Sequence, residues 1–232
     1  MATELKDGTT IQDKRLDRLV QFDERSRAYP IRTLVENKKP RSYTWRLNTY
    51  LDQGSDGACV GFSWSHELAA RPVEIKDITN QTALQTYYRA QQLDDWAGGS
   101  YPGATPFYEG TSVLAGAKAV QETGHMKEYR WAFSLDDALL AIGHHGPGVL
   151  GTWWYSDMFS PDEEGFVKPT GSKVGGHAIV VRGVNFKNRY VRLSNSWGTN
   201  WGVNGDCFLT FEDFEKLLMD EGEFCIPVGR SK

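Results

Sequence analysis

The sequence has few cysteines, no long apolar run and no concentration of basic charge. Three cysteines in 232 residues, Cys59, Cys207 and Cys225, are too few for a disulfide scaffold, and none has the C-x-x-C spacing of a zinc site. A Cys207–Cys225 bridge stays open as an alternative, but two small buried hydrophobes are the simpler reading. No stretch approaches the roughly 20 apolar residues that span a bilayer. The polar start, Met1-Ala-Thr-Glu-Leu-Lys-Asp-Gly8, lacks the apolar core of a secretory signal. A cytoplasmic setting without a membrane partner is therefore expected. The net charge of −4 argues against nucleic acid as a partner. What is there is an ordinary globular composition, 40% hydrophobic and 24% charged, long enough to bury one substantial core or two small lobes.

Residues 1–44 are polar and carry Pro30 and Pro40, so they read as an arm rather than a domain. A short helix is expected near Gln12–Phe22, with the mixed-sign run Asp13-Lys-Arg-Leu-Asp-Arg18 as its solvated face. From about 51 to 140 the pattern is helical. Ala58–Ala70 runs to the breaker Pro72; Asn80 can cap a second helix; Thr111 or Ser112 caps a third that Gly124 closes; Ser134 opens a fourth. After Pro147 the character changes. Gly148–Trp154, His177–Val184, Tyr190–Ser194 and Cys207–Thr210 are short apolar or alternating runs between turn residues, the pattern of strands, and Phe211–Asp220 can form a surface helix. Helices first and strands second give an α+β chain of two lobes, about 45–145 and 146–232, with a cleft between them as the default site.

Cys59 sits at the predicted first turn of a helix, where unpaired N–H groups and the macrodipole favour an anion and so a thiolate. A structural buried cysteine is the competing reading. Gln53, six residues earlier, can aim an amide N–H beside the Cys59 backbone N–H, a pair of donors for an oxyanion. His177 follows Gly175-Gly176 at a strand's mouth. Asn195, eighteen residues on, can accept the imidazole N–H and fix its tautomer, with Trp197 and Trp201 shielding that bond. The bland alternatives are a turn glutamine, a satisfied histidine and a turn asparagine. His144-His145 could bind a metal, but no third ligand is evident and a polar turn is preferred.

Three motifs carry a family resemblance. Gln53-Gly-Ser-Asp-Gly-Ala-Cys59-Val-Gly-Phe-Ser63 resembles the glutamine and cysteine motif of papain-like cysteine proteases, the peptidase C1 family. Gly176-His177-Ala178 resembles its histidine motif, and Asn195-Ser-Trp-Gly-Thr-Asn-Trp-Gly202 its asparagine motif. The order is the family's, and His177 and Asn195 stand 118 and 136 residues beyond Cys59, near the family interval of roughly 130–150. Two positions depart from the pattern: Asp56 replaces a disulfide cysteine, and Val60 a tryptophan. The missing bridge suits a reducing compartment and a bacterial or bacteriophage type.

The resemblance implies a papain-like two-lobe fold, a helical lobe and an antiparallel, barrel-like β lobe, and a cysteine peptidase. Cys59 would attack the carbonyl, His177 act as general acid and base, Asn195 orient it, and Gln53 help hold the oxyanion. Gly110, Thr111, Ser112, Gly176, Ala178 and Trp197 would border the substrate. No metal or cofactor is implied. An amidase or acyltransferase on a non-protein or isopeptide substrate is the alternative, and a peptide-binding pseudoenzyme a further one. The main pocket, for the side chain two positions before the scissile bond, is expected to be walled by Ala178, residues 110–112 and Leu150–Gly151, and so to prefer hydrophobic side chains. The arm is too short for the family's inhibitory propeptide. It is expected to pack outside the lobes, leaving the enzyme active as synthesised, with the competing reading that it lies across the cleft and must be cut.

Overall fold

The computed structural model describes residues 2–232. The chain opens with two short paired strands, β1 (Thr3–Glu4) and β2 (Thr10–Ile11), then α1 (Arg32–Val35) and β3 (Tyr43–Thr44). Three helices follow, α2 (Cys59–Ala69), α3 (Asn80–Leu93) and α4 (Val113–Glu122), then β4 (Glu128–Ala132) and α5 (Leu135–His144). The remainder is β5 (Gly148–Tyr155), β6 (Lys173–Asn185), β7 (Tyr190–Ser194), β8 (Asp206–Thr210), α6 (Phe211–Met219) and β9 (Glu223–Val228).

Helix α2 is buried along its whole length, because helices and sheet close on it from all sides. Two glycines make this approach possible. A Cβ on Gly61 would strike Ala83 O and Tyr87 of α3, and one on Gly116 of α4 would strike the Trp64 ring. The caps follow the sequence closely. Ser112 and Ser134 accept N–H bonds at the starts of α4 and α5, each satisfying a donor the helix cannot. At α3 the cap is Thr79, in a reciprocal box with Thr82, rather than Asn80.

One antiparallel sheet runs in the order β4-β9-β5-β6-β7-β8, with β3 added against β6. The barrel-like lobe expected from the resemblance is not closed: among the described residues, edge strands β4 and β8 do not pair, since the chain leaving β8 turns directly into α6. The larger core lies between the sheet and helices α5 and α6. A second cluster joins α2 and α4 to Val149, Ala178 and Cys225 of the sheet. Strands β4 and β9 were not anticipated. The first of them and α5 precede residue 145, yet both pack with the sheet, Ala132 and Ile142 entering its core.

The arm differs most. Residues 12–22 form no helix. Leu16, Asp17, Arg18 and Leu19 are all buried, and the chain there is extended, so successive side chains face opposite ways. Leu16 enters the sheet-side core, while Leu19 joins Leu5 and Ile11. Of the mixed charges that suggested a solvated helix face, Asp17 and Arg18 are interior contacts, whereas Lys14 stays exposed and Asp13 and Arg15 pair at the surface.

Candidate active site

Cys59 opens α2 and is fully buried. Its Sγ accepts a hydrogen bond from Ala178 N–H at 3.4 Å, which brings the helix terminus against β6 next to His177. The His177 ring has Nε2 2.9 Å from Asn195 Oδ1. Asn195 follows β7 and its Oδ1 also accepts the Ser196 N–H, so the carbonyl is held in place. Trp154 and Trp197 enclose the ring, with centroids 4.8 and 5.1 Å away. Gln53 lies across from this group. Its amide donates to Asp56 O at 2.6 Å and its Oε1 accepts from Ser196 Oγ at 2.5 Å. Cysteine, histidine, asparagine and glutamine, scattered over 142 residues of sequence, are thus gathered where helix meets sheet.

The cleft beside them is filled by the arm. Arg18 N–H donates to Gly176 O at 3.1 Å and Leu19 N–H to Thr111 O at 2.9 Å, so main-chain bonds hold the segment to both walls. The pairing is parallel on each side, Asp17 with Gly176 and Arg18 with Thr111. Two glycines permit the contact: a Cβ on Gly176 would strike Arg18 O, and one on Gly110, at φ +101°, would lie 2.8 Å from Leu19 Cδ2. The arm expected outside the lobes therefore lies between them. The reason is apolar burial of Leu16 and Leu19 combined with backbone groups that need partners.

Three arm groups meet the reactive residues. Asp17 Oδ1 accepts the Cys59 backbone N–H at 3.1 Å, and Oδ2 accepts Tyr87 O–H at 2.6 Å. The Arg15 carbonyl stands 3.3 Å from His177 Nδ1, and the Arg15 guanidinium covers Trp197 at 4.4 Å. Among the described residues no hydrogen bond joins Cys59 to His177. Burial, reinforced by the Asp17 charge, pushes the Cys59 thiol well above its ordinary range. Burial lowers His177 to about 4 and raises Asp17 to about 6. A thiol and a neutral imidazole are the favoured forms while the arm is docked.

The residues assigned to the substrate wall divide. Gly110, Thr111, Gly176 and Ala178 touch the arm or the thiol as described. Ser112 spends its side chain on the α4 cap, and Trp197 borders His177 and the arm. The expected uncharged pocket is corrected. Strand register sets Glu223, Gly151 and Ala178 side by side, and Arg18 extends over Gly151 to donate to Glu223 Oε1 from Nε at 3.2 Å and Nη2 at 2.7 Å. Glu223 was missed because nothing local marks it; only the pairing of β9 with β5 carries it there. Asp17 and Arg18 were missed because a charged run gives no sign of what it faces. All three cysteines are buried and unbridged.

No family model matches the chain. Solved structures do: xylellain, a cysteine protease from Xylella fastidiosa, superposes with a TM-score of 0.68 at 14% identity, covering 95% of this chain and 98% of that one. The fold is papain-like. Procathepsin L2 proteinase from the larval midgut of Tenebrio molitor gives a TM-score of 0.56 at 18% identity, over 94% of this chain and 79% of that one. In sequence, Cathepsin B-like cysteine proteinase 4 of Caenorhabditis elegans is 38% identical over 63 residues, 26% of this chain and 19% of the relative. An uncharacterized peptidase C1-like protein of Acanthamoeba polyphaga mimivirus is 22% identical over 202 residues, 67% of this chain and 62% of the relative. The chain thus matches less than two thirds of the length of either curated relative. The papain-like resemblance read from three short motifs holds in sequence relatives and in fold. Among the described residues no helix is long and apolar enough to cross a membrane.

Proposed function

We propose that this papain-like chain is a cysteine peptidase whose N-terminal arm keeps it latent. The observation that carries the reading is the arm itself. The cleft beside Cys59 accepts an extended polypeptide and bonds its main chain on both walls, at Gly176 and Thr111. That favours peptides over other amides as substrates.

With the arm displaced, Nδ1 of His177 is free to take the Cys59 proton, and the thiolate attacks the scissile carbonyl carbon. A C–S bond forms, and the Cys59 N–H, now released by Asp17, holds the oxyanion with a Gln53 amide N–H. His177 passes its proton to the leaving nitrogen as the C–N bond breaks, leaving a thioester. It then takes a proton from water, whose oxygen attacks the thioester; the C–S bond breaks and the thiolate recovers its proton. Asn195 holds the ring through Nε2 in both halves. The docked arm opposes the first step twice, through the Asp17 carboxylate on the Cys59 N–H and the Arg15 carbonyl at Nδ1. A cytoplasmic setting fits three unbridged thiols.

The test uses full-length chains. Leu19→Asp places an unpaired charge among Leu5, Ile11 and Trp96, a burial costly enough to undock the arm. This variant is expected to cleave an unfolded protein at least about tenfold faster than wild type, and Leu19→Asp with Cys59→Ala not at all. Cleavage that survives the cysteine substitution, or products joined to an added amine instead of hydrolysed, would refute the peptidase reading. Equal rates in wild type and Leu19→Asp would refute latency.

A further inference from the structure

The pocket filled by Arg18 has the form of a specificity site with its own occupant in place. In the row Glu223–Gly151–Ala178 the two outer residues carry side chains and the middle one does not, which leaves a gap one guanidinium wide. A Cβ on Gly151 would lie 2.7 Å from Arg18 Nε, 2.7 Å from Val113 Cγ2 and 3.0 Å from Glu223 Cγ. Ala178, at one end of the row, donates its N–H to the Cys59 thiol, so the gap is within reach of a residue close to the scissile bond. At the other end, the Glu223 side chain is 2% exposed and its counter-charge, on Arg18, comes from an arm 205 residues away in sequence. Were the arm to leave, the Glu223 carboxylate would lose its counter-charge, a loss that another cation entering the groove offsets.

We propose that Glu223 makes this a basic-residue pocket, selecting substrates with arginine, and secondarily lysine, at the side chain that enters beside Gly151, and that Arg18 imitates such a substrate in the docked arm. The inference rests on the peptidase reading for the word substrate, but the pocket's chemistry stands apart from it. Arginine is favoured over lysine because its planar fork offers several donors to one carboxylate. Leucine would bury the Glu223 carboxylate with no counter-charge, which is a penalty on the wrong side chain as much as a reward for the right one. Burial already presses the Glu223 carboxyl upward, with Arg18 opposing that rise.

Two measurements test it. In the first, full-length Leu19→Asp is labelled with peptidyl epoxides that differ only in carrying Arg, Leu or Glu at the residue entering the pocket, and the Cys59 adduct is followed by mass. The Arg probe is expected to react at least tenfold faster than the Leu probe, and adding Glu223→Gln should erase that ratio. A Leu probe that reacts as fast as the Arg probe, or a ratio that survives Glu223→Gln, overturns the proposal. The second needs neither Cys59 chemistry nor Leu19→Asp. In full-length Arg18→Ala, added ethylguanidinium should raise the unfolding temperature, and should fail to do so in Arg18→Ala with Glu223→Gln. Equal behaviour of those two proteins overturns the pocket. If no probe labels Cys59 at all, the peptidase reading fails and the ethylguanidinium result alone decides the pocket.

Discussion

Arg182 and Arg18 are each buried against a carboxylate, but they are held differently. Arg182 uses every guanidinium nitrogen: Nη2 on Asp206 Oδ2 at 2.6 Å and on Tyr50, Nε on Ser194 Oγ at 2.6 Å, and Nη1 on Trp45 O at 2.9 Å. Asp206 in turn accepts from Arg192, Tyr50 and Ser194. Arg18 has one carboxylate oxygen on Glu223 and a long 3.5 Å bond from Nη2 to the Glu221 carbonyl, and its Nη1 is buried without a partner among the described residues. The first pair sits between strands of one sheet and fixes Ser194, the neighbour of Asn195. The second joins an arm to a groove. Burial of an ion pair is not itself stabilising, because desolvation offsets attraction unless the remaining donors are satisfied. A complete network makes a permanent part of the fold, and an incomplete one makes a contact that a better ligand can replace.

The comparison is most easily broken at Asp206. Asp206→Ala leaves two arginines without their carboxylate and is expected to cost about 3–5 kcal/mol of global stability, read from urea unfolding. Arg18→Ala should cost clearly less, because the groove that held the arm can open to water and solvate Glu223, while the arm loosens. If the two substitutions cost the same, the arm is as integral as the sheet. Next in size is the division of roles around His177. In a Leu19→Asp background, His177→Ala should abolish single-turnover cleavage, whereas Asn195→Ala should lower it about a hundredfold or less, since orientation is lost but proton transfer is not. Equal losses would contradict that division.

A subtler effect concerns pH. Docking raises Asp17 from 3.8 to about 6, so its contribution to docking is fully present below pH 3.8 and lost as pH rises through about 6. Burial, to which the docked arm adds, lowers His177 from 6.5 to about 4, so the arm's share of that contribution is present above pH 6.5 and lost as pH falls through about 4. The two oppose each other across the same range. Asp17→Asn removes the first: at pH 8 its arm should dock on the order of tenfold more tightly than wild type, and the docking should weaken as pH falls from 6.5 toward 4. Exchange protection of the Leu19 amide, which donates to Thr111 O, reports it. Weaker protection than wild type at pH 8 would show that the carboxylate favours docking. The smallest expected effect is Tyr50→Phe, which removes one hydroxyl from the Asp206 network and should cost about 1 kcal/mol, again by urea unfolding.

The catalytic candidates were legible because their signals are local. A cysteine after a glycine turn, a histidine at the mouth of an apolar strand and an asparagine before Ser196-Trp197-Gly198 each announce their setting within a few residues. Helix starts were legible for the same reason: Ser112 and Ser134 cap by bonding to an N–H three residues on. Strand β9 was not, because Glu223 and Pro227 interrupt its apolar run, and only pairing with β4 and β5 makes it a strand.

Local sequence set the helix caps, most of the later strands, the helix that presents Cys59, and the order of the residues around it. It did so through caps, periodicity and short motifs, whose physics spans a few residues. Where the arm goes, and which carboxylate faces Arg18 across Gly151, came from tertiary packing alone. Leu16-Asp-Arg-Leu19 carries the same letters whether it faces water or a cleft. Its extended shape comes from main-chain partners at Thr111 and Gly176, and its charges are matched by Tyr87, the Cys59 N–H and Glu223. Those partners lie between about 40 and 205 residues away, a distance no local pattern covers.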